Sequence, residues 1–125
     1  MKSLSIILLY PLVLEAATPP TKGPAHYTLA IYSGSSPSGQ RLSQVVLDCH
    51  PMGGTHPHSA QACSALDKAN GYFDKLSSNG AFCTDNFEPI TATAEGNGYG
   101  HPTHFTKTYS NRCALVSESD GVFDI

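Results

Sequence analysis

Four cysteines, at positions 49, 63, 83 and 113 of a 125-residue chain, constrain this sequence more than any other feature. Their meaning depends on the compartment, and the N-terminus speaks to that. Lys2, an apolar run from Leu4 to Leu14 and then Glu15-Ala16-Ala17 read as a secretory signal over residues 1–17. The run is too short to cross a bilayer as a helix, and Pro11 interrupts it. The protein is therefore expected to be secreted and extracellular, about 108 residues long, with its thiols oxidised into two disulfides. Three pairings are open to four cysteines. Each bridge would constrain the unfolded chain by about 3 kcal/mol, a large share of a small domain's stability.

Residues 18–26, which include Thr18-Pro19-Pro20 and Pro24, read as an extended N-terminal arm, and 27–125 as one domain. Tyr27, Leu29 and Ile31 alternate with smaller partners, as in a half-buried strand. Residues 33–39 read as a turn or loop, 41–49 as a second strand with Val45, Leu47 and Cys49 on one face, and 50–58 as a loop broken by glycine and proline. From Pro57 or His58 to Asn70 the apolar spacing turns helical through Ala62, Leu66 and Ala69, and Asn70-Gly71 is the stop. Phe73 and Leu76 are expected in the core. Residues 90–94 alternate, 96–100 form a glycine-rich connection, and 103–110 return as the second arm of a hairpin. Asn111-Arg112-Cys113 ends that strand, 114–119 is expected to be a loop, and 121–125 a terminal strand. Four or five antiparallel strands with one or two helices make the class α+β, a helix packed on a sheet.

Several chemistries find no support. Without Lys2 and Glu15, six basic and nine acidic residues remain, a net charge of −3 with neutral histidines. No basic patch recommends nucleic acid, and no amphipathic basic stretch recommends a membrane surface. The histidines are His26, His50, His56, His58, His101 and His104, the tightest group being His56-Pro57-His58. Oxidised thiols do not ligate, no Cys-x-x-Cys pair is present, and His101 and His104 should face opposite ways on a strand. They read as surface histidines, with no metal or other cofactor. Nothing marks a serine, histidine or aspartate as activated, and 33–39 departs from Gly-x-Ser-x-Gly, so no catalytic residue is assigned and the chain is not read as an enzyme. Gly96-Asn97-Gly98-Tyr99-Gly100 lacks the helix that a phosphate cradle needs.

Against that background Phe82-Cys83-Thr84-Asp85-Asn86-Phe87-Glu88-Pro89 stands out. Cys83 can tie its front end to the body, Pro89 fixes a backbone angle at its back, and no helical or strand period hides the residues between. Such a segment is held extended without being buried, the form in which a protease binds a substrate. A loop that loses little freedom on docking binds tightly.

Cys49, then Gly54-Thr55-His56-Pro57 and Ala62-Cys63-Ser64-Ala65-Leu66, Cys83 with Pro89 six residues on, Thr91, Glu95-Gly96, and Tyr109-Ser110-Asn111-Arg112-Cys113 together resemble the Streptomyces subtilisin inhibitor family. The ending Gly121-Val122-Phe123-Asp124-Ile125 is similar too, and the match runs from about Tyr27 to the C-terminus. The resemblance implies a two-layer α/β sandwich, five antiparallel strands covered on one face by two helices, with Cys49 paired to Cys63 and Cys83 to Cys113. It implies a serine endopeptidase as partner and a homodimer through the sheet. In the family the bond offered to the protease lies between the second and third residues after the third cysteine. On this chain that bond is Asp85-Asn86, with Phe82, Cys83 and Thr84 on the non-primed side and Phe87 and Glu88 on the primed side. The Cys83 to Cys113 bridge would brace the loop from below, with Asn111 as hydrogen-bonding support and Pro89 at its back.

Asp85 departs from the family's pattern. Members that inhibit subtilisin present a hydrophobic or basic residue there. A carboxylate in an apolar primary pocket is a desolvated, unpaired charge, costing several kcal/mol. The expected target is therefore an acid-selective serine protease, glutamyl-endopeptidase-like or an aspartate-selective subtilase, with ordinary subtilisin and chymotrypsin-like enzymes inhibited weakly or not at all. The alternative is a secreted binding or effector protein that keeps the scaffold without inhibiting.

Overall fold

A computed structural model describes residues 22–125. The segment read as a secretory signal lies outside those residues, as does the arm up to Thr21. Five strands form one antiparallel sheet: β1 (Ala25–Ser33), β2 (Arg41–Cys49), β3 (Gly53–Gly54), β4 (Ile90–Gly98) and β5 (His101–Tyr109), in the order β3-β2-β1-β4-β5. Two α-helices, α1 (Ser59–Lys68) and α2 (Arg112–Glu118), and a single 3₁₀ turn at Phe73–Lys75 complete the described elements.

The core sits on one face of the sheet. Tyr27, Leu29 and Ile31 of the central strand point into it, and each stands opposite a small residue of β4: Gly96, Ala94 and Ala92 respectively. Large against small leaves room above β4 for Leu66, Leu115, Phe73 and Phe123, all buried there. The Tyr27 ring meets Phe73 edge-on with centroids 5.0 Å apart. At Gly98 even one added methyl would run into the Tyr27 hydroxyl, which is why that strand tolerates glycine where propensity argues against it.

Helix α1 buries Ala62, Cys63, Ala65 and Leu66 and ends where Asn70 and Gly71 take positive φ values of 53° and 77°, the Gly71 N–H reaching back to Leu66 O at 2.9 Å. Cys49 pairs with Cys63, joining α1 to β2, and Cys83 pairs with Cys113, joining the 77–89 segment to α2. The sequential pairing and the sandwich are thus present as the resemblance implied.

Four boundaries differ from the sequence reading. Ala25 and His26 belong to β1 rather than to an arm. The connection placed at 96–100 shrinks to Tyr99-Gly100, both left-handed (φ 57° and 85°), because Gly98 pairs directly with His101 in a two-residue hairpin. Residues 114–119 are not a loop but lie largely within α2, whose seven residues are too few to display a helical period. The 121–125 segment is not a strand: it leaves α2 through successive turns, with Gly121 N–H reaching Val116 O at 2.9 Å, Val122 N–H reaching Ser119 O at 3.1 Å and Asp124 N–H reaching Gly121 O at 3.1 Å, which tuck Val122 and Phe123 into the core. The fifth strand is instead β3, a two-residue edge inside the loop expected at 50–58.

Candidate functional site

Residues 77–89 run from the 3₁₀ turn to β4 without regular structure, and Phe82, Thr84, Asp85, Asn86, Phe87 and Glu88 are all exposed. Phe82 is 94% and Phe87 75% exposed, while Phe73 and Phe123 lie in the core. Two phenyl rings left in water on one loop forgo about 2 kcal/mol each of burial, so the loop is shaped for something other than stability. The Asp85 carboxylate has no ion-pair partner among the described residues.

The loop is exposed but not loose, because α2 and the turn before it hold it at successive points. Asn79 N–H donates to Ser117 O at 2.9 Å and the Ser117 hydroxyl donates to Asn79 Oδ1 at 3.1 Å, docking the entry. The Cys83–Cys113 bridge comes next. Asn111, 3% exposed, then donates through Nδ2 to Thr84 O at 3.2 Å and to Asn86 O at 2.8 Å. Its Oδ1 accepts the Ala114 N–H at 2.9 Å, capping α2. That assignment of the amide is forced: its oxygen faces a donor and its nitrogen two acceptors. Beyond, Glu88 N–H donates to Ser110 O at 2.8 Å, and Pro89 O accepts from Gly34 N–H at 2.9 Å as the chain enters β4.

The structure therefore brings Asn111 and the Cys83–Cys113 bridge together beneath the two carbonyls that flank Asp85, while Pro89 stands apart at the back of the loop, against Gly34. Ser110, Ser117 and Asn79 were not singled out in the sequence. Ser117 had no local cue, since its role depends on α2 lying under the loop. At the end of β5, burial pushes the Tyr109 phenol up to about 12, with the nearby Glu118 charge adding to it, so the strand that leads into Ser110 and Asn111 ends on a neutral, buried ring.

The histidines take other parts. His56, expected at the surface, is only 6% exposed: its Nδ1 accepts the His58 N–H at 2.9 Å, so Nε2 carries the proton and donates to Val122 O at 2.7 Å. His50 bonds Asp67 at 2.7 Å, His104 bonds Glu95 at 2.8 Å, and His26 bonds Asp48. Burial opposes the charge on Asp67, but hydrogen bonds from Tyr99 and His50 and the positive charge of Lys22 outweigh it and hold that carboxyl below its ordinary range. Among the described residues no three His, Cys, Asp or Glu side chains gather into a group able to hold a metal ion, and no helix is long and apolar enough to cross a membrane.

The fold is a two-layer sandwich that strings an extended, exposed loop over a buried asparagine and a disulfide, and known proteins share that class of scaffold. A family model described as subtilisin inhibitor-like matches residues 23–111. Protease inhibitor SIL-V2 of Streptomyces orinoci is 35% identical over 103 residues, 80% of this chain and 94% of that protein. Plasminostreptin of Streptomyces antifibrinolyticus is 38% identical over 81 residues, 63% of this chain and 74% of its own. The crystal structure of Streptomyces caespitosus sermetstatin in complex with Bacillus licheniformis subtilisin superposes with a TM-score of 0.69 at 28% identity, covering 82% of this chain and all of that one. The chain belongs to the subtilisin inhibitor-like family, whose similar members here are named as inhibitors and not as enzymes.

Proposed function

We propose that the protein is a secreted serine protease inhibitor whose reactive bond is Asp85-Asn86 and whose target is an acid-selective serine protease. One observation carries this reading: Asn111 holds the carbonyls on both sides of Asp85 while the Asp85 side chain and its neighbours stay exposed. A substrate's carbonyl carbon must be reachable and its flanks fixed, and both conditions are met here.

The mechanism follows from the geometry. The loop enters the protease cleft, the Asp85 carbonyl oxygen turns toward the oxyanion hole, and the protease serine attacks the carbonyl carbon. The Asn86 amine that would leave is tied through its own carbonyl to Asn111, and Glu88 N–H to Ser110 O, so it stays within reach. Resealing then outruns hydrolysis. Asp85 sets the target: its unpaired carboxylate needs a basic primary pocket and is rejected by an apolar one. Two disulfides support the expectation of export. The sheet face away from the helices, carrying His26, Glu95 and His104, is where a homodimer would form, and sedimentation of the protein tests it.

The deciding experiment is a panel of subtilisin, chymotrypsin, a glutamyl endopeptidase and an aspartate-selective subtilase, titrated with wild type and Asp85→Met. Wild type is expected to inhibit only the acid-selective enzymes, and Asp85→Met to gain at least about 100-fold against subtilisin, since several kcal/mol of unpaired charge is removed. Nanomolar inhibition of subtilisin by wild type would sink the specificity reading. Failure of both proteins against every enzyme would favour the non-inhibitory binding protein.

A further inference from the structure

Three exposed side chains along the loop form a directed hydrogen-bond chain. The Thr84 hydroxyl donates to Asn86 Oδ1 at 2.7 Å, and Asn86 Nδ2 donates to Glu88 Oε1 at 3.4 Å. The direction is fixed by chemistry: the Glu88 carboxylate only accepts, so the Asn86 nitrogen faces it and the Asn86 oxygen faces Thr84. Thr84 lies on one side of the Asp85-Asn86 bond and Asn86 on the other. The short bond between them therefore bridges that peptide bond without passing through it.

We propose that Thr84 and Asn86 are positioning residues that latch the two sides of the bond together through their side chains, keeping the loop closed once the main chain is cut. The inference rests on the reading of Asp85-Asn86 as the reactive bond. In the attack, the protease serine oxygen bonds to the Asp85 carbonyl carbon, its proton passes through the protease's base to the Asn86 nitrogen, and the C–N bond breaks. An ester to Asp85 and a free Asn86 amine result. Resealing is the same sequence reversed, with the amine as nucleophile and the serine as leaving group, and water is the competitor. Which wins depends on how long the amine stays in place.

After the cut, the ties to the body divide between the two sides. Cys83 and Thr84 O hold the acyl side, and Asn86 O and Glu88 N–H hold the amine side. Asn111 touches both from beneath. The Thr84–Asn86 bond is the second link across the gap and acts on the outer surface, where Asn111 cannot reach. Glu88, 3.4 Å from the Asn86 nitrogen, favours the amide orientation that offers its oxygen to Thr84. A side-chain bond worth little in the intact loop thus gains weight in the cut one, where it helps fix the amine.

The test uses the full protein and an acid-selective protease in catalytic amount. The ratio of intact protein to protein cut at Asp85-Asn86 is measured by mass spectrometry, approached from both the intact and the cut side. Thr84→Val removes the hydroxyl at equal size, Thr84→Ser retains it, and Asn86→Ala removes the acceptor. The intact-to-cut ratio is expected to fall about fivefold to tenfold in Thr84→Val, to stay within about twofold of wild type in Thr84→Ser, and to fall no further when Thr84→Val and Asn86→Ala are combined than in the weaker single variant. Melting temperatures should be unchanged, since the latch touches no core residue. A Thr84→Val ratio equal to wild type, or fully additive effects in the double variant, overturns the latch alone. If wild type is never cut at this bond, or is cut and not resealed, the reactive-bond reading fails and the latch falls with it.

Discussion

Asn111 does three jobs with one amide, and the three can be separated by chemistry. Its oxygen caps α2 through Ala114 N–H, and its nitrogen supports Thr84 O and Asn86 O. Asn111→Asp keeps the acceptor at the helix N-terminus, where a negative charge is welcome, but removes the donor and sets an anion against two carbonyls. We expect inhibition to weaken by at least about 10-fold through the loss of two hydrogen bonds to the loop carbonyls, and the melting temperature to fall with the buried, unpaired charge, the helix N-terminus offsetting only part of that. Parallel melts and inhibitor titrations check both halves. A large fall in stability without loss of inhibition would make Asn111 a cap and nothing more. The residue was legible as a loop support only through family resemblance. Its neighbours Ser110 and Ser117 carried no cue, because a serine's role depends on which backbone lies over it.

At the level of elements, α2 is the template on which the loop is strung. Seven residues do not hold a helix by themselves. The Asn111 cap, burial of Ala114 and Leu115, and the Cys113 bridge supply what its length lacks. Cys83→Ser with Cys113→Ser opens a closed loop of sequence separation 30 and should cost about 3.5 kcal/mol, lowering the melting temperature by about 15 °C. On the proposed reading the double variant should become a substrate, cut at Asp85-Asn86 and not resealed, which mass spectrometry of the protease mixture reads directly. Continued stable inhibition by the double variant would show that hydrogen bonds alone hold the loop. The neighbouring strands β4 and β5 were readable because Ile90, Ala92 and Ala94, and then Phe105 and Tyr109, fall at even spacing on the core face. The helix was not, because its buried Ala114, Leu115 and Ser117 span less than one and a half turns.

Across the whole molecule, the C-terminal segment is locked to the start of α1 by one buried imidazole. His56 is satisfied only as a neutral ring, accepting from His58 N–H and donating to Val122 O. Burial holds its pKa below the ordinary value of 6.5; the Val122 carbonyl opposes this, while the charge of His58 adds to the depression and that of Asp124 works against it. The unfolded chain therefore takes up a proton before the folded one does. Stability is level above about pH 6.5 and falls as the pH drops from there toward the folded pKa. Urea unfolding at pH 7.5, 6 and 5 should show this decline, and His56→Gln should flatten it. Asp67, held low in the folded state, acts in a separate window, its contribution being lost only as the pH falls below about 4. An unchanged acid slope in His56→Gln would assign the decline to other groups.

What the sequence by itself determined is what local chemistry encodes. Alternation in β1, β2 and the start of β4 marks a sheet with one buried face, Asn70-Gly71 marks a helix end, and Cys83 and Pro89 bound a segment with nothing to bury. Four cysteines with Gly54-Thr55-His56-Pro57 led to the family. Only the tertiary structure decided which groups meet: Asn111 beneath Asp85, Ser117 beneath Asn79, and His56 beneath Val122. Period and propensity are properties of neighbours along the chain. A hydrogen-bond partner 25, 38 or 66 residues away is chosen by packing, and packing belongs to the folded whole.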